Sequence, residues 1–529
     1  MASVVFMKPP CDEGVIGSGR SAAPCAPEAR TWILAATIIG SSMAFIDSTV
    51  VNVALPALQT SFHATVVNVQ WVVESYGLFL GALILVGGSL GDLFGRRLVF
   101  VLGVAIFALA SLSCGVASNI HQLIFARSIQ GVGAALLVPG SLAIISTSFD
   151  EKSRGQAIGT WSGFTAITTA VGPVLGGWLV EHASWRWVFL INLPLAAVVI
   201  AISLWRVPES RGAVGGRIDW LGAVVVTLGL GGLVIGFIES VNLGWVHPLV
   251  LASLIVGCVC LVLFLLVEAN VTSPMVPLSL FASPVFSGAN LLTLFLYSAL
   301  GIFFFLYPLN LIQVQGYSAT ATGTAVLPFI LLMFLLSRWS GGLVARYGPR
   351  LPLVIGPLVV ALGFVMFAVP AVGGSYWKSF FPAVVVLGFG MAVTVAPLTT
   401  VVMNSVDEDR VGTASGINNA VARIAGVLAI AILGIVMVDA FSSRLGYSLA
   451  HLSLQPSVLE VIKAGEIRLA GLPVPAGLSS TTQAAIKQSI GEAFVFGFRI
   501  VMLICAGLAV ASSAVAWLMI RKDTHQGSR

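Results

Sequence analysis

Long apolar runs separated by short polar stretches occupy nearly the whole chain. A bilayer-spanning helix needs about 20 mostly apolar residues, and about fourteen runs of that kind are present. The first six cover 31–55, 69–90, 98–117, 122–146, 155–180 and 187–205. Two follow at 218–238 and 246–267, and the last six cover 285–312, 320–345, 351–369, 379–401, 412–439 and 494–520.

A charged hinge divides the second run from the third: Gly88-Ser89-Leu90-Gly91-Asp92-Leu93-Phe94-Gly95-Arg96-Arg97. About 250 residues later a second copy, Gly341-Gly342-Leu343-Val344-Ala345-Arg346-Tyr347-Gly348-Pro349-Arg350, again falls between two runs. The copies share an opening glycine, a later glycine (Gly95, Gly348) and a closing arginine (Arg97, Arg350). The repeat implies one half-molecule laid down twice in the same orientation. The expected order is a tail at 1–30, a six-helix bundle at 31–206, two extra central helices at 207–270, a second six-helix bundle at 271–520 with a long loop at 441–493, and a tail at 521–529.

Composition fixes the class. The chain is 58% hydrophobic and 9% charged, with mean hydropathy +1.02, against about 25% charged for a soluble domain. It cannot cover itself with polar groups in water, so its first partner is the lipid bilayer. The net charge of +5 does not point to nucleic acid, because Lys and Arg gather in the cytoplasmic loops of membrane proteins. With both termini inside, those loops hold Arg96, Arg97, Lys152, Arg154, Arg206, Arg211, Arg217, Arg346, Arg350 and Arg410. Only 441–493 breaks the bias, and the rule weakens for long loops. Residues 1–30 lack the apolar core and cleavage site of a signal peptide and are expected to form a cytoplasmic tail. The six cysteines show no metal-binding pattern. Five of the six histidines fall in outer segments, so no metal site is expected.

Several motifs in order carry a resemblance. They are the hinge itself, Phe45-Ile46-Asp47-Ser48-Thr49-Val50-Val51-Asn52-Val53-Ala54-Leu55-Pro56 in the first run, and Arg127-Ser128-Ile129-Gln130-Gly131-Val132-Gly133-Ala134 in the fourth. Gly172-Pro173-Val174-Leu175-Gly176-Gly177 lies in the fifth run, and Trp185 to Pro194 opens the sixth. From about Trp32 onward the chain resembles the fourteen-helix drug:proton antiporters of the major facilitator superfamily. That resemblance implies an all-α membrane protein with the major facilitator fold, two six-helix bundles plus two extra central helices, in the cell inner membrane. It also implies export of hydrophobic or amphipathic small molecules in exchange for protons, driven by the proton gradient without a cofactor. One departure is Ala345 where the first hinge has Asp92, so any charge lock there is one-sided.

Asp47 is the first candidate for proton coupling. An ionised carboxylate is costly inside an apolar helix, and a group that loses and regains a proton is what coupled exchange requires. Asp47 lies roughly 24 Å along its helix and Arg127 roughly 8 Å from the outer end of the fourth. Both therefore sit in the outer half of a core about 30 Å thick, with Glu74 at a similar level. Arg127 either biases Asp47 reversibly or forms a permanent packing pair with it. Gly88, Asp92, Gly95, Arg96 and Arg97 read as a conformational latch or as a turn plus topology signal. Gly163, Gly172, Pro173, Gly176 and Gly177 form a small-residue face for close helix packing, which the resemblance associates with antiport. Asn52, Gln130, Tyr297 and Asn310 are candidates for the substrate cavity by family geometry. Arg423 is either a substrate-path charge or an anchor at the cytoplasmic end.

Two other readings compete. An uptake symporter keeps the fold but fits the glycine-rich fifth helix and the extra helices less well. A membrane-embedded enzyme would want a His/Asp or metal constellation, and the histidines are scattered singly. No glycine is followed by lysine, so there is no phosphate-binding loop for ATP. Substrate identity and any periplasmic adaptor are not legible at this level.

Overall fold

A computed structural model describes residues 27–149, 151–211, 219–272, 274–406, 410–452, 454–475 and 477–520, without the side chains at 27–28, 151–156, 162–163, 166, 170, 337–338, 345 and 411–412. Most of the two tails and the surroundings of Gly163 thus lie outside the described residues.

The first half comprises α1 (Pro27–Phe62), α2 (Val66–Phe94), α3 (Arg96–Gly115), α4 (Ile120–Ser148), α5 (Glu151–His182) and α6 (Trp187–Arg206). Next come α7 (Trp220–Leu243) and α8 (Pro248–Asn270). The second half holds α9 (Pro284–Val314), α10 (Ala319–Ala325, then Leu327–Gly341), α11 (Arg350–Phe367), α12 (Phe381–Asn404), α13 (Val411–Ala450) and α14 (Ser480–Met519). Thirteen helices among the described residues are long and apolar enough to cross a membrane. The fifth predicted run corresponds to α5, a 32-residue helix of the same bundle that is not among the thirteen. Helices are the answer because lipid offers backbone N–H and C=O groups no partner outside the segment.

Packing repeats the sequence repeat. In the first half α1 packs on α5 and α6, and α4 on α2 and α3; in the second, α9 packs on α13 and α14, and α12 on α10 and α11. The halves meet where α5 crosses α10 and where α2 crosses α13. Helix α7 lies along the second seam, touching both α2 and α13. Helix α8 stacks outside it on a glycine face, where Gly232 faces Ser253 and Gly257. Most of the remaining surface of α8, including Ile255, Val259 and Val262, is exposed apolar surface of the kind lipid solvates.

Both hinge copies turn on the shared glycine. Gly95 (φ 121°) and Gly348 (φ 74°) end their helices in a conformation that side chains avoid. The shared arginines also do the same work. Arg97 Nη1 donates to Val207 O at 3.0 Å, just past the end of α6, and Arg350 Nη2 donates to Trp517 O near the end of α14, its guanidinium 3.9 Å from the Trp517 ring centroid. Each arginine ties the start of a third helix to the end of the sixth in its own half.

The expected loop at 441–493 is corrected. Helices α13 and α14 each run 40 residues, about 60 Å at 1.5 Å per residue against a core of about 30 Å. The unbroken apolar stretch ends near Asp439, but a helical period continues. Phe441, Leu445 and Leu449 are buried on one face, as are Ile486, Ile490 and Phe494 on the returning helix. Average hydropathy marks where lipid ends, not where a helix ends. The connection proper is 451–479, with a short helix at Pro456–Ala464 and a 3₁₀ turn at Glu466–Gly471.

Candidate functional site

Asp47 sits mid-way along α1 and is fully buried. Arg127 on α4, also buried, donates to Asp47 Oδ2 through Nη1. The other carboxylate oxygen accepts from Gln130 Nε2 at 2.8 Å and from Asn192 Nδ2 at 3.5 Å. Gln130 and Asn192 both also bond Ser111 Oγ, at 2.7 and 3.2 Å. Arg127 is held in turn by Val72 O (3.1 Å) and Gln130 Oε1 (2.7 Å), and its guanidinium lies 4.2 Å from the Tyr76 ring centroid. Five helices, α1, α2, α3, α4 and α6, thus meet on one buried ion pair whose oxygens are all engaged. A buried pair is tolerable when its remaining hydrogen-bonding capacity is met in this way.

A cavity of about 380 Å³ adjoins this cluster at the meeting of the two halves. Its walls come from α1, α2 and α5 on one side and α9, α10 and α13 on the other, with Arg127 at its edge. The lining is largely apolar, aliphatic side chains together with the rings of Tyr76, Tyr297, Phe304 and Phe329. Glu74 lines it too, fully buried, and neither of its carboxylate oxygens has a hydrogen-bond partner among the described residues. From the second half α13 adds Arg423, whose Nε donates to the exposed Asn419 Oδ1 at 3.2 Å.

Two helical halves around a central cavity, each half carrying the same hinge, are the shape of a transporter. The family model described as Major Facilitator Superfamily matches residues 37–430. The chain belongs to the Major Facilitator Superfamily. It is 32% identical over 94% of its length, and 93% of the relative's, to "Multidrug resistance protein Stp" of Mycobacterium tuberculosis (strain CDC 1551 / Oshkosh). It is 31% identical to "Tetracenomycin C resistance and export protein" of Streptomyces glaucescens, over 93% of this chain and 92% of that one. Among solved structures, a bacterial homolog of the human lysosomal transporter Spinster, in an inward-facing and unoccupied conformation, superposes with a TM-score of 0.63 at 17% identity. That match covers 93% of this chain and 98% of the other.

Within this major facilitator the predicted site residues separate into distinct places. Asp47 and Arg127 form the buried pair, whereas Glu74 stands apart from it in the cavity wall. Asn52 and Tyr297 line the cavity. Gln130, expected to line it, instead braces Asp47 from the protein side. Asn310, also expected there, is buried in the π turn that ends α9, where Gln315 bonds it at 3.2 Å. Helix register explains both: a polar residue in an apolar run has to find a partner, and the partner was in the protein. Of the α9 aromatics, Phe303 and Tyr307 stack at 4.9 Å and join Phe364, Phe367 and Phe380 in the core of the second half. Only Tyr297 and Phe304 of that group face the cavity. Asn192, Ser111 and Tyr76 were missed, although Asn192 lies inside the quoted Trp185–Pro194 motif and a polar residue in a spanning helix is a functional candidate by default.

The first hinge is built within its own half. Asp92 pairs with Arg96 one turn on, at 2.7 Å. Glu209, which sequence reading passed over, accepts from the backbone N–H groups of Arg97 (3.0 Å) and Leu98 (3.2 Å) and so caps α3. Losing that cap in Glu209→Ala should cost about 1 kcal/mol, seen as a lower unfolding temperature of the purified protein. Asp92→Asn, which breaks a half-exposed pair, should cost less than about 0.5 kcal/mol. A large transport defect in Asp92→Asn with unchanged stability would then place the role of Asp92 in another conformation.

The ends of the halves away from the hinges are closed against each other. Gly172 and Gly176 sit against Thr49 and Val50 of α1, while Gly177 meets the backbone of Ala319 and Gly323 that of Pro173. A Cβ at Gly323 would come within 2.1 Å of Pro173 O, so α5 and α10 can touch only because both positions lack side chains. Beyond them Gln59 of α1 donates to Arg468 O at 2.9 Å and accepts from Gln313 at 2.8 Å. Gly323→Leu should hold this far end apart. A cysteine placed at Val53, buried on α1 where it lines the cavity, should then react faster with an impermeant maleimide than in the Gly323 parent.

Proposed function

We propose that this chain exports amphipathic small molecules of the drug or antibiotic type in exchange for protons, with both termini on the cytoplasmic side of the plasma membrane. Two of its relatives are named as a multidrug resistance protein and as a resistance and export protein. The reading rests on one observation above all: a fully buried carboxylate, Glu74, faces the central cavity with both oxygens unpartnered among the described residues. An acid so placed, with no partner among the described residues, is open to a proton while the cavity is empty. A substrate cation entering the cavity favours the ionised form, so proton and substrate alternate on one group. Asp47 is less suited to that exchange, because Arg127, Gln130 and Asn192 already hold it. Its part is to fix Arg127 beside the cavity and to lock five helices into one rigid half.

The closed far end and the cavity bounded on its other side by Arg423 and exposed Asn419 support an inward-facing state. Exchange then consists of rocking one half against the other, which separates the α5–α10 glycine contact and brings the hinge ends together. The test is ethidium movement in proteoliposomes under an imposed pH gradient. Wild type should accumulate or expel the dye according to the gradient's direction, and collapse of the gradient should stop it. Dye movement that ignores the gradient would reject proton coupling.

A further inference from the structure

We propose that the cavity selects amphoteric substrates: molecules with a cationic group at one end, an anionic group at the other and an apolar body about 10 Å long between them. This rests on the transporter reading above and adds the substrate class. The observation is that the same cavity is lined by a carboxyl group and a guanidinium from neighbouring helices, with no bond described between them. Glu74 lies on α2 and Arg423 on α13.

Helix register sets their separation. Gln70 Nε2 reaches Ile430 O at 3.4 Å, Gly77 faces Val427, and Gly81 faces the Cβ of Arg423. The two helices therefore run side by side in opposite directions, and Arg423 stands level with Gly81, seven residues from Glu74. Seven residues of helix are roughly 10 Å. Side-chain directions widen the gap. A helical side chain leans toward the helix N-terminus, which takes Glu74 toward the far end. Arg423 reaches back to Asn419, toward the hinge end. The carboxylate and the guanidinium thus mark opposite poles of the cavity, with Tyr76, Tyr297, Phe304 and Phe329 on the walls.

The other charges in contact with this space cancel. Arg127 is neutralised by Asp47. Arg423 has only the neutral Asn419 among its described hydrogen-bond partners. A simple cation would use the Glu74 pole and leave Arg423 repelling it. A simple anion would use Arg423 and leave the buried Glu74 unsatisfied. A molecule bearing both groups at the right distance satisfies both poles while its aromatic or alicyclic body fills the ring-lined middle. Arg423 is then a specificity residue, and Glu74 takes the cationic end as it releases its proton.

The test is binding to the purified full-length protein in detergent, with no gradient, so that it does not depend on transport. The probes are norfloxacin, which carries an amine and a carboxylate on opposite ends of a flat ring system, its ethyl ester (cation only) and its N-acetyl derivative (anion only). Wild type should bind norfloxacin at least about tenfold more tightly than either derivative, a difference of about 1.4 kcal/mol. Arg423→Gln should remove that advantage, by weakening norfloxacin binding and by tightening ester binding as the repulsion of the cation is lost, and Arg423→Lys should restore part of it. Glu74→Gln should weaken norfloxacin and the ester but not the N-acetyl compound. Equal affinity of wild type for norfloxacin and its ester overturns the proposal, as does norfloxacin binding unaffected by Arg423→Gln in a variant that elutes as a folded monodisperse species. No saturable binding of norfloxacin overturns it too. Gradient-driven ethidium movement in the same preparation would show that the exporter reading survives without it. The charges would then serve each other, closing into an ion pair in another conformation.

Discussion

Glu74→Gln is expected to reduce gradient-driven dye efflux to the background leak while leaving the protein folded. Glutamine has nearly the same volume and is also neutral, so it replaces the protonated acid with little change in packing. What it removes is the ability to alternate between neutral and charged forms. Dye binding by wild type should strengthen as pH rises, by up to about tenfold per pH unit where one proton is displaced per dye cation. In Glu74→Gln that slope should flatten. The sign follows from competition: the proton and the cation share one carboxylate, so lowering pH favours the proton. Glu74→Asp keeps the charge but shortens the reach and should retain reduced, still pH-dependent activity. Full gradient-driven efflux in Glu74→Gln at equal expression would move the coupling to Asp47.

The second large effect concerns stability. Arg127→Ala leaves Asp47 buried with its strongest partner gone, a change that costs about 3–5 kcal/mol when one member of a buried pair is removed. For a protein with an ordinary stability margin of about 5–15 kcal/mol, this should appear as a large fall in unfolding temperature and in folded yield. Asp47→Asn should cost less, because Gln130 and Asn192 supply neutral partners at the site. The paired replacement Asp47→Leu with Arg127→Met should recover much of the stability lost in Arg127→Ala, since apolar residues of similar volume need no desolvated charge. Whether that double variant transports is a separate readout. Activity near wild type would make the pair a packing device, and loss of activity in a stable protein would give it a part in the conformational cycle. Unchanged stability in Arg127→Ala would mean that Gln130 and Asn192 suffice to hold Asp47 without the guanidinium.

Both predictions depend on distinguishing two acids that look alike in the sequence. Asp47 and Glu74 are each a lone carboxylate in an apolar helix, placed by helix arithmetic at a similar depth. The structure gives one of them three partners and the other none among the described residues. The difference comes from which way each helix faces, and hydropathy carries little information on rotation about a helix that is apolar around most of its circumference.

Class, halves and much of the order can be read from the chain's residues in one dimension. Length and hydropathy decide that a run crosses lipid, because the bilayer thickness is fixed and the backbone has to bond to itself. The hinge repeat was legible because a tight turn needs its glycine locally, and both Gly95 and Gly348 adopt the positive φ that only glycine takes readily. The crossing glycines of α5 were legible for the same reason, as small residues record close approach whatever the neighbour is. Tertiary structure alone decided the rest. It showed that Gln130 faces Asp47 and not the cavity, that Asn310 closes a π turn, and that Arg423 lines the same cavity as Glu74 from a neighbouring helix. It also showed α13 and α14 continuing well past the apolar core. These are facts about which side of a helix meets which partner. They arise from contacts between residues tens to hundreds of positions apart, whose energies depend on geometry that no local window of sequence contains.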